Sequence, residues 1–166
     1  MSTELNKYEK LESEIVSVFS IKNEDGTFSP SPDFDIAPLP DNEAEYRPQL
    51  PRPQVWCAYD SSDFSESDTI SQVVQDEKVM FSFEIHSKTR RGAKGTMSIF
   101  ETIRKKIVGL KLLGYDKMSL VKGTSLAGSG ANHWVFYAQF STNTKVADCQ
   151  PEAVDNLLKD PDFIYH

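Results

Sequence analysis

The sequence predicts an α+β fold: a mainly antiparallel sheet of about four strands, two main helices packed on it, a long proline-rich arm and a short C-terminal helix. Three observations carry this. Two segments repeat apolar residues in steps of three and four, the period of a helix with one buried face. Other segments alternate apolar and polar residues, the period of a strand. Between them, seven of the nine prolines fall within residues 28–53, and each removes a backbone donor and fixes φ.

Residues 3–21 form the first helix in this reading. Leu5, Tyr8, Leu11, Glu12, Ile15, Val18 and Phe19 make one stripe, with Glu12 its one polar member. Ser2 or Thr3 is the expected cap, and Asn23, Asp25 and Gly26 end the helix. Residues 28–53 then run as an extended arm whose apolar anchors include Phe34, Ile36, Leu39, Tyr46 and Leu50. A connection that long is uncommon inside one domain, so it is either a strap on its own domain or an arm laid on a neighbour.

A short strand is expected at residues 54–59, then an acidic, serine-rich loop or weak edge at 60–76. The clearest strand is 78–88, where Val79, Phe81, Phe83 and Ile85 alternate with Met80, Ser82, Glu84 and His86. A basic glycine-containing turn leads from it into the second helix, capped by Thr96 or Ser98. That helix carries Ile99, Phe100, Ile103, Ile107 and Leu110 on its stripe and stops near Leu113, with Gly114 following. Residues 118–122 read as a strand, 123–131 as a flexible hairpin loop and 133–144 as a strong strand. Residues 151–158 read as a short helix before an apolar tail. One domain, 1–146, followed by a tail, 147–166, is the expected organisation.

Charge is segregated along the chain, although the formal sum is only -7. Residues 1–46 hold 11 acidic and 3 basic side chains, and residues 78–122 hold 3 acidic and 11 basic ones. Such a bipolar subunit can set its acidic part against the basic part of a neighbour, which speeds encounter and fixes register. No apolar run approaches the roughly 18 residues of a membrane span, and the polar, acidic N-terminus does not look like a secretory signal. Two cysteines, Cys57 and Cys149, make no disulfide framework and fit a reducing compartment.

Chemistry is sought without result. Gly92-Ala93-Lys94-Gly95-Thr96 precedes a helix, but its lysine comes before the last glycine, so the phosphate-loop spacing is missing. An anion at that helix N-terminus remains open. His86, His133 and His166 have no ligand spacing. Cys57 beside Trp56 reads as a small buried residue. No catalytic, metal or cofactor site is expected. Lys88, Arg90, Arg91, Lys94, Arg104, Lys105 and Lys106 suit a basic surface, but no aromatic stacking motif accompanies them, so direct DNA contact is not expected. Arg90, Arg91, Lys94, Arg104, Lys105, Phe34 and Tyr46 are the candidate interaction residues.

The order of motifs resembles one family. A helix is followed by Ala37-Pro38-Leu39-Pro40, then Val55-Trp56-Cys57-Ala58-Tyr59-Asp60-Ser61-Ser62 and Phe81-Ser82-Phe83-Glu84-Ile85-His86. After Arg90-Arg91-Gly92 comes the helix from Ile99 to Leu110, and the strand from Trp134 to Thr142 closes the set. Over residues 3–146 this resembles the tail terminator proteins of Mu-like contractile-tailed phages. The resemblance implies a non-enzymatic virion protein: a hexameric ring, assembled in the host cytoplasm, that caps the tail tube and sheath at the head-proximal end. Its implied partners are copies of itself, the tube and sheath proteins, and a neck or head-completion protein, with no membrane. The acidic arm and residues 148–166 depart from the family pattern. The alternatives are a nucleic-acid-binding module or another head-tail connector.

Overall fold

A computed structural model describes residues 6–25, 27–42, 52–66, 73–127 and 133–148. Helix α1 spans Lys7–Ser17 and is followed by the short strands β1 (Ile21–Lys22) and β2 (Phe28–Ser29). Strands β3 (Asp35–Pro38), β4 (Gln54–Phe64) and β5 (Val73–Ser87) come next. Helix α2 (Thr96–Ile107) and strands β6 (Ser119–Ala127) and β7 (Trp134–Asp148) complete the order.

The expected sheet is corrected here. Among the described residues there are two sheets: a hairpin of β1 and β2, and a mixed five-stranded sheet in the order β3-β4-β5-β7-β6. The additional strand lies in the proline-rich arm, where β3 pairs parallel with β4 from Asp35↔Gln54 to Pro38↔Cys57. Asp35 N donates to Pro53 O at 3.0 Å and Leu39 N to Cys57 O at 2.8 Å. Alternate residues of β3 thus face β4, and Pro38 falls in the other set. Its missing N–H costs no ladder bond, which is why an edge strand tolerates it.

Two other boundaries move for related reasons. Gly123–Ala127, read as loop, continues β6 and pairs with β7 out to Ala127↔Trp134. The backbone of Gly123 lies close under two rings: a Cβ there would lie 3.3 Å from those of both Phe100 and Phe136, so a larger residue would need them to shift by a few tenths of an ångström. The acidic stretch after Tyr59 is strand as far as Phe64, entered through a bulge between Tyr59 and Ser61. The expected helix at 151–158 lies outside the described residues.

The core forms where three strands align their apolar residues. Val55, Ile85 and Phe136 make one cross-strand row, Cys57, Phe83 and Ala138 the next, and Tyr59, Phe81 and Phe140 a third. Period-2 alternation puts all of them on one face. Helix α2 covers β5 and β7 with Ile99, Phe100, Ile103 and Ile107, while α1 covers β3 and β4 with Leu11 and Ile15. Phe100 meets Phe136 at 4.5 Å between ring centroids. The other face carries Glu84 opposite Tyr137 and Ser82 opposite Gln139.

Both helices are shorter than their stripes. Asn6 caps α1 through a capping box with Glu9, in place of Ser2 or Thr3. Helix α2 ends at Ile107, and Gly109 at φ +86° turns the chain away. Gly109 N then donates to Met118 O at 2.8 Å. Glu12, the polar residue in the α1 stripe, accepts the main-chain N–H of Tyr59 beside the β4 bulge. Burial raises its carboxyl above the ordinary range, against the lowering effect of that bond.

Candidate functional site

Residues 88–95 fold into a hydrogen-bonded basic turn between β5 and α2. Four amides at the start of α2 already have partners within the turn. Gly95 N donates to Gly92 O, Thr96 N to Thr89 O, Met97 N to Arg90 O and Ser98 N to Gly95 O, at 3.0–3.2 Å. The donors that a helix N-terminus offers to an anion are therefore spent on the chain itself. This also removes the need for a side-chain cap: the N-cap is Gly95, and the buried Thr96 and exposed Ser98 do not serve. Gly92 adopts φ +87°, and a Cβ on Gly95 would come within 2.6 Å of the Arg91 backbone. Ser87 Oγ donates to Lys94 O at 2.6 Å and ties the turn to β5.

Lys88, Arg90, Arg91 and Lys94 point outward from this scaffold and are exposed. Arg90 lies over the Trp134 ring at 6.0 Å, a cation–π contact at the start of β7. Arg104 and Lys105 sit elsewhere, roughly 12 Å further along α2 at 1.5 Å per residue. Arg104 pairs with Glu101 at 2.9 Å, and Lys105 is exposed. Lys106 reaches α1, donating to Val18 O at 3.2 Å. The basic residues of the sequence thus form two groups at opposite ends of α2.

Phe34 is 1% exposed and meets Phe19 edge-on at 5.9 Å, so it anchors the arm to its own chain and has no surface to give a neighbour. Tyr46 lies outside the described residues.

Sheet order carries only part of the charge segregation of the sequence into space. Helix α1, the β1–β2 hairpin and β3 form one flank; residues 6–42 there carry eight carboxylates against three lysines. Strand β6 closes the opposite edge, where Lys117 and Lys122 are exposed along with Asp116; the other cationic side chains of residues 88–111 lie on the turn before α2, on α2 over β5 and β7, and on the turn after it, and Lys106 and Lys111 reach the α1 side. Each flank also exposes apolar side chains: Ile21, Phe28 and Leu39 on the acidic one, Val121 and Leu126 on the basic one. Among the described residues no strand pairs with the outer edge of β6.

Sequence reasoning missed a buried polar cluster. The Glu77 side chain is fully buried and accepts from Lys7 Nζ at 2.6 Å, Tyr8 Oη at 2.8 Å and Ser62 Oγ at 2.9 Å. Burial pushes the Glu77 carboxyl up, but these hydrogen bonds outweigh it and hold it below the ordinary carboxylate range. Burial likewise pushes the Lys7 ammonium down, and its bonds to Glu77 and Tyr115 more than reverse that. The cluster ties α1 to the sheet and commits both Glu77 oxygens as acceptors to donors of its own chain, so it reads as structural. Glutamate in the β5 alternation, on the face of Val79 and Phe81, was the one available signal.

The remaining features offer little chemistry. An open cleft of about 840 Å³ is lined by Glu14, Asp76, Lys111, Tyr115, Asn143 and Lys145, among others. Burial drives the Cys57 thiol well above its ordinary range, with the Glu12 carboxylate adding to it, so it stays protonated and unreactive. His86 and His133 stack at 5.3 Å. Among the described residues no group of His, Cys, Asp and Glu is arranged to hold a metal ion, and no helix is long and apolar enough to cross a membrane.

A search among curated proteins returns no match. The family model described as Gp37 protein matches residues 29–160, from β2 past the end of β7. The segment contains the five-stranded sheet, the basic turn and α2, and it covers most of the chain: it belongs to the Gp37 protein family, a phage-type family.

Proposed function

We propose that this phage-family protein is a structural subunit of a contractile tail, a tail terminator. Copies of it form a hexameric ring that caps the tube and sheath at the head-proximal end and presents a surface to the neck or head-completion protein. On this reading it associates with the virion and catalyses nothing.

One observation carries the proposal: the two flanks of the sheet differ in charge and in edge. Strand β3 has four residues, and Pro38 interrupts its outer edge, while β6 has nine residues and, among the described residues, no partner on its outer edge. Unlike flanks favour a heterologous contact, and a heterologous contact whose rotation closes makes a ring. Membership of a phage-type family supports a virion setting, and the order of motifs over residues 3–146 is what suggests the tail.

Electron microscopy of tails carrying an epitope-labelled copy tests this. The label is expected only at the head-proximal end. Label along the tube, at the baseplate or absent from purified tails refutes the assignment.

A further inference from the structure

We infer that the β6 flank of one copy docks side-on against the α1–β3 flank of a second copy, through charge and small apolar contacts, with no strand added across the junction. This rests on the self-assembling reading above and names its surfaces. The occupant is a second copy because the exposed charges beside the two edges are mainly of opposite sign, with Lys22 and Asp116 the exceptions. The basic flank offers Lys117 and Lys122, both exposed, around Val121 and Leu126, each 47% exposed. The acidic flank offers Glu24 and Asp33, both exposed, near Phe28, which is 68% exposed.

Strand addition is disfavoured on both sides. The register of β6 slips between Leu120 and Lys122, leaving Val121 as a bulge, and a bulge with a lysine beside it blunts an edge. On the other flank Pro38 lacks the donor that a new strand would need. Side chains must therefore make the contact. Opposite charges set its register, and like charges brought together there repel. A contact built this way weakens with salt.

Two full-length variants test it. One is Lys117→Glu with Lys122→Glu; the other is Glu24→Lys with Asp33→Lys. All four positions are exposed, and near-ultraviolet circular dichroism reports whether Trp56 keeps its buried packing. Sedimentation over a concentration series at low salt is expected to show self-association of the wild type. Each variant alone should associate at least about tenfold more weakly, and an equimolar mixture should recover association, because the mixture juxtaposes opposite charges again. The inference is overturned if folded variants associate like the wild type, if the mixture does not recover, or if the wild type stays monomeric at every concentration. Labelling of tails decides the terminator reading separately, since a ring using other surfaces would still decorate the tail end.

Discussion

Replacing Glu77 by Gln removes a charge while keeping the shape of the side chain. Glu77 accepts three hydrogen bonds in a fully buried position. A hydrogen bond to a charged group contributes about 1.5–3 kcal/mol and a neutral one about 0.5–1.5 kcal/mol. The substitution therefore costs on the order of 1 kcal/mol for each donor that remains. The Lys7 contact is discounted because the Lys7 side chain is 46% exposed and solvent screens it. The net expectation is a loss of about 2 kcal/mol, and roughly 4–8 °C in Tm for a chain of this size. Urea unfolding of both proteins at several pH values is the assay. The folded carboxyl titrates below its unfolded value. Its stabilisation is therefore complete above the unfolded carboxyl range, about pH 4–5, and is lost as pH falls through the folded value. The deficit of Glu77→Gln should be constant near neutrality and should shrink in acid, where protonated Glu77 resembles glutamine. A deficit under about 0.5 kcal/mol at neutral pH, or one that persists unchanged in acid, refutes the account of the cluster.

Two further outcomes follow from named contacts. Gly95→Ala should lower stability by about 1–3 kcal/mol in urea unfolding, since its Cβ would sit 2.6 Å from the Arg91 backbone; a change near zero would mean the turn yields freely. In a Cys149→Ser background the Cys57 thiol should react with a thiol reagent only at the rate of opening, and denaturant should accelerate it, because the side chain is buried and its thiolate disfavoured.

How much of this was readable beforehand depends on the range of the interaction. The alternation from Val79 to Ile85 and the stripe from Ile99 to Ile107 are local patterns, and both lie where expected, facing one core. Strand β3 was hidden because prolines argue against strands until one knows that Pro38 faces outward on an edge. The second half of β6 was hidden because Gly123-Thr124-Ser125 has the composition of a loop, and only pairing with β7 makes it strand. The basic turn was legible as basic, but not as self-capped. Its amides are satisfied by carbonyls of Thr89, Arg90 and Gly92, a matter of backbone path that side-chain types do not encode. Glu12 and Glu77 looked like interruptions of apolar faces. Apart from Ser62, their partners lie 47 and about 70 residues away in the chain, beyond any local pattern.

Periodicity and composition alone marked which side chains go inside and that acidic and basic residues occupy different thirds of the chain, because burial and charge are properties of residues and their immediate spacing. The fold alone set the acidic segment along the β3 edge and spread the basic one over the central strands and the β6 edge. Strand order is set by pairing between segments distant in the chain, whose combined burial must outweigh the entropy of closing long loops, and no window of neighbouring residues contains that comparison.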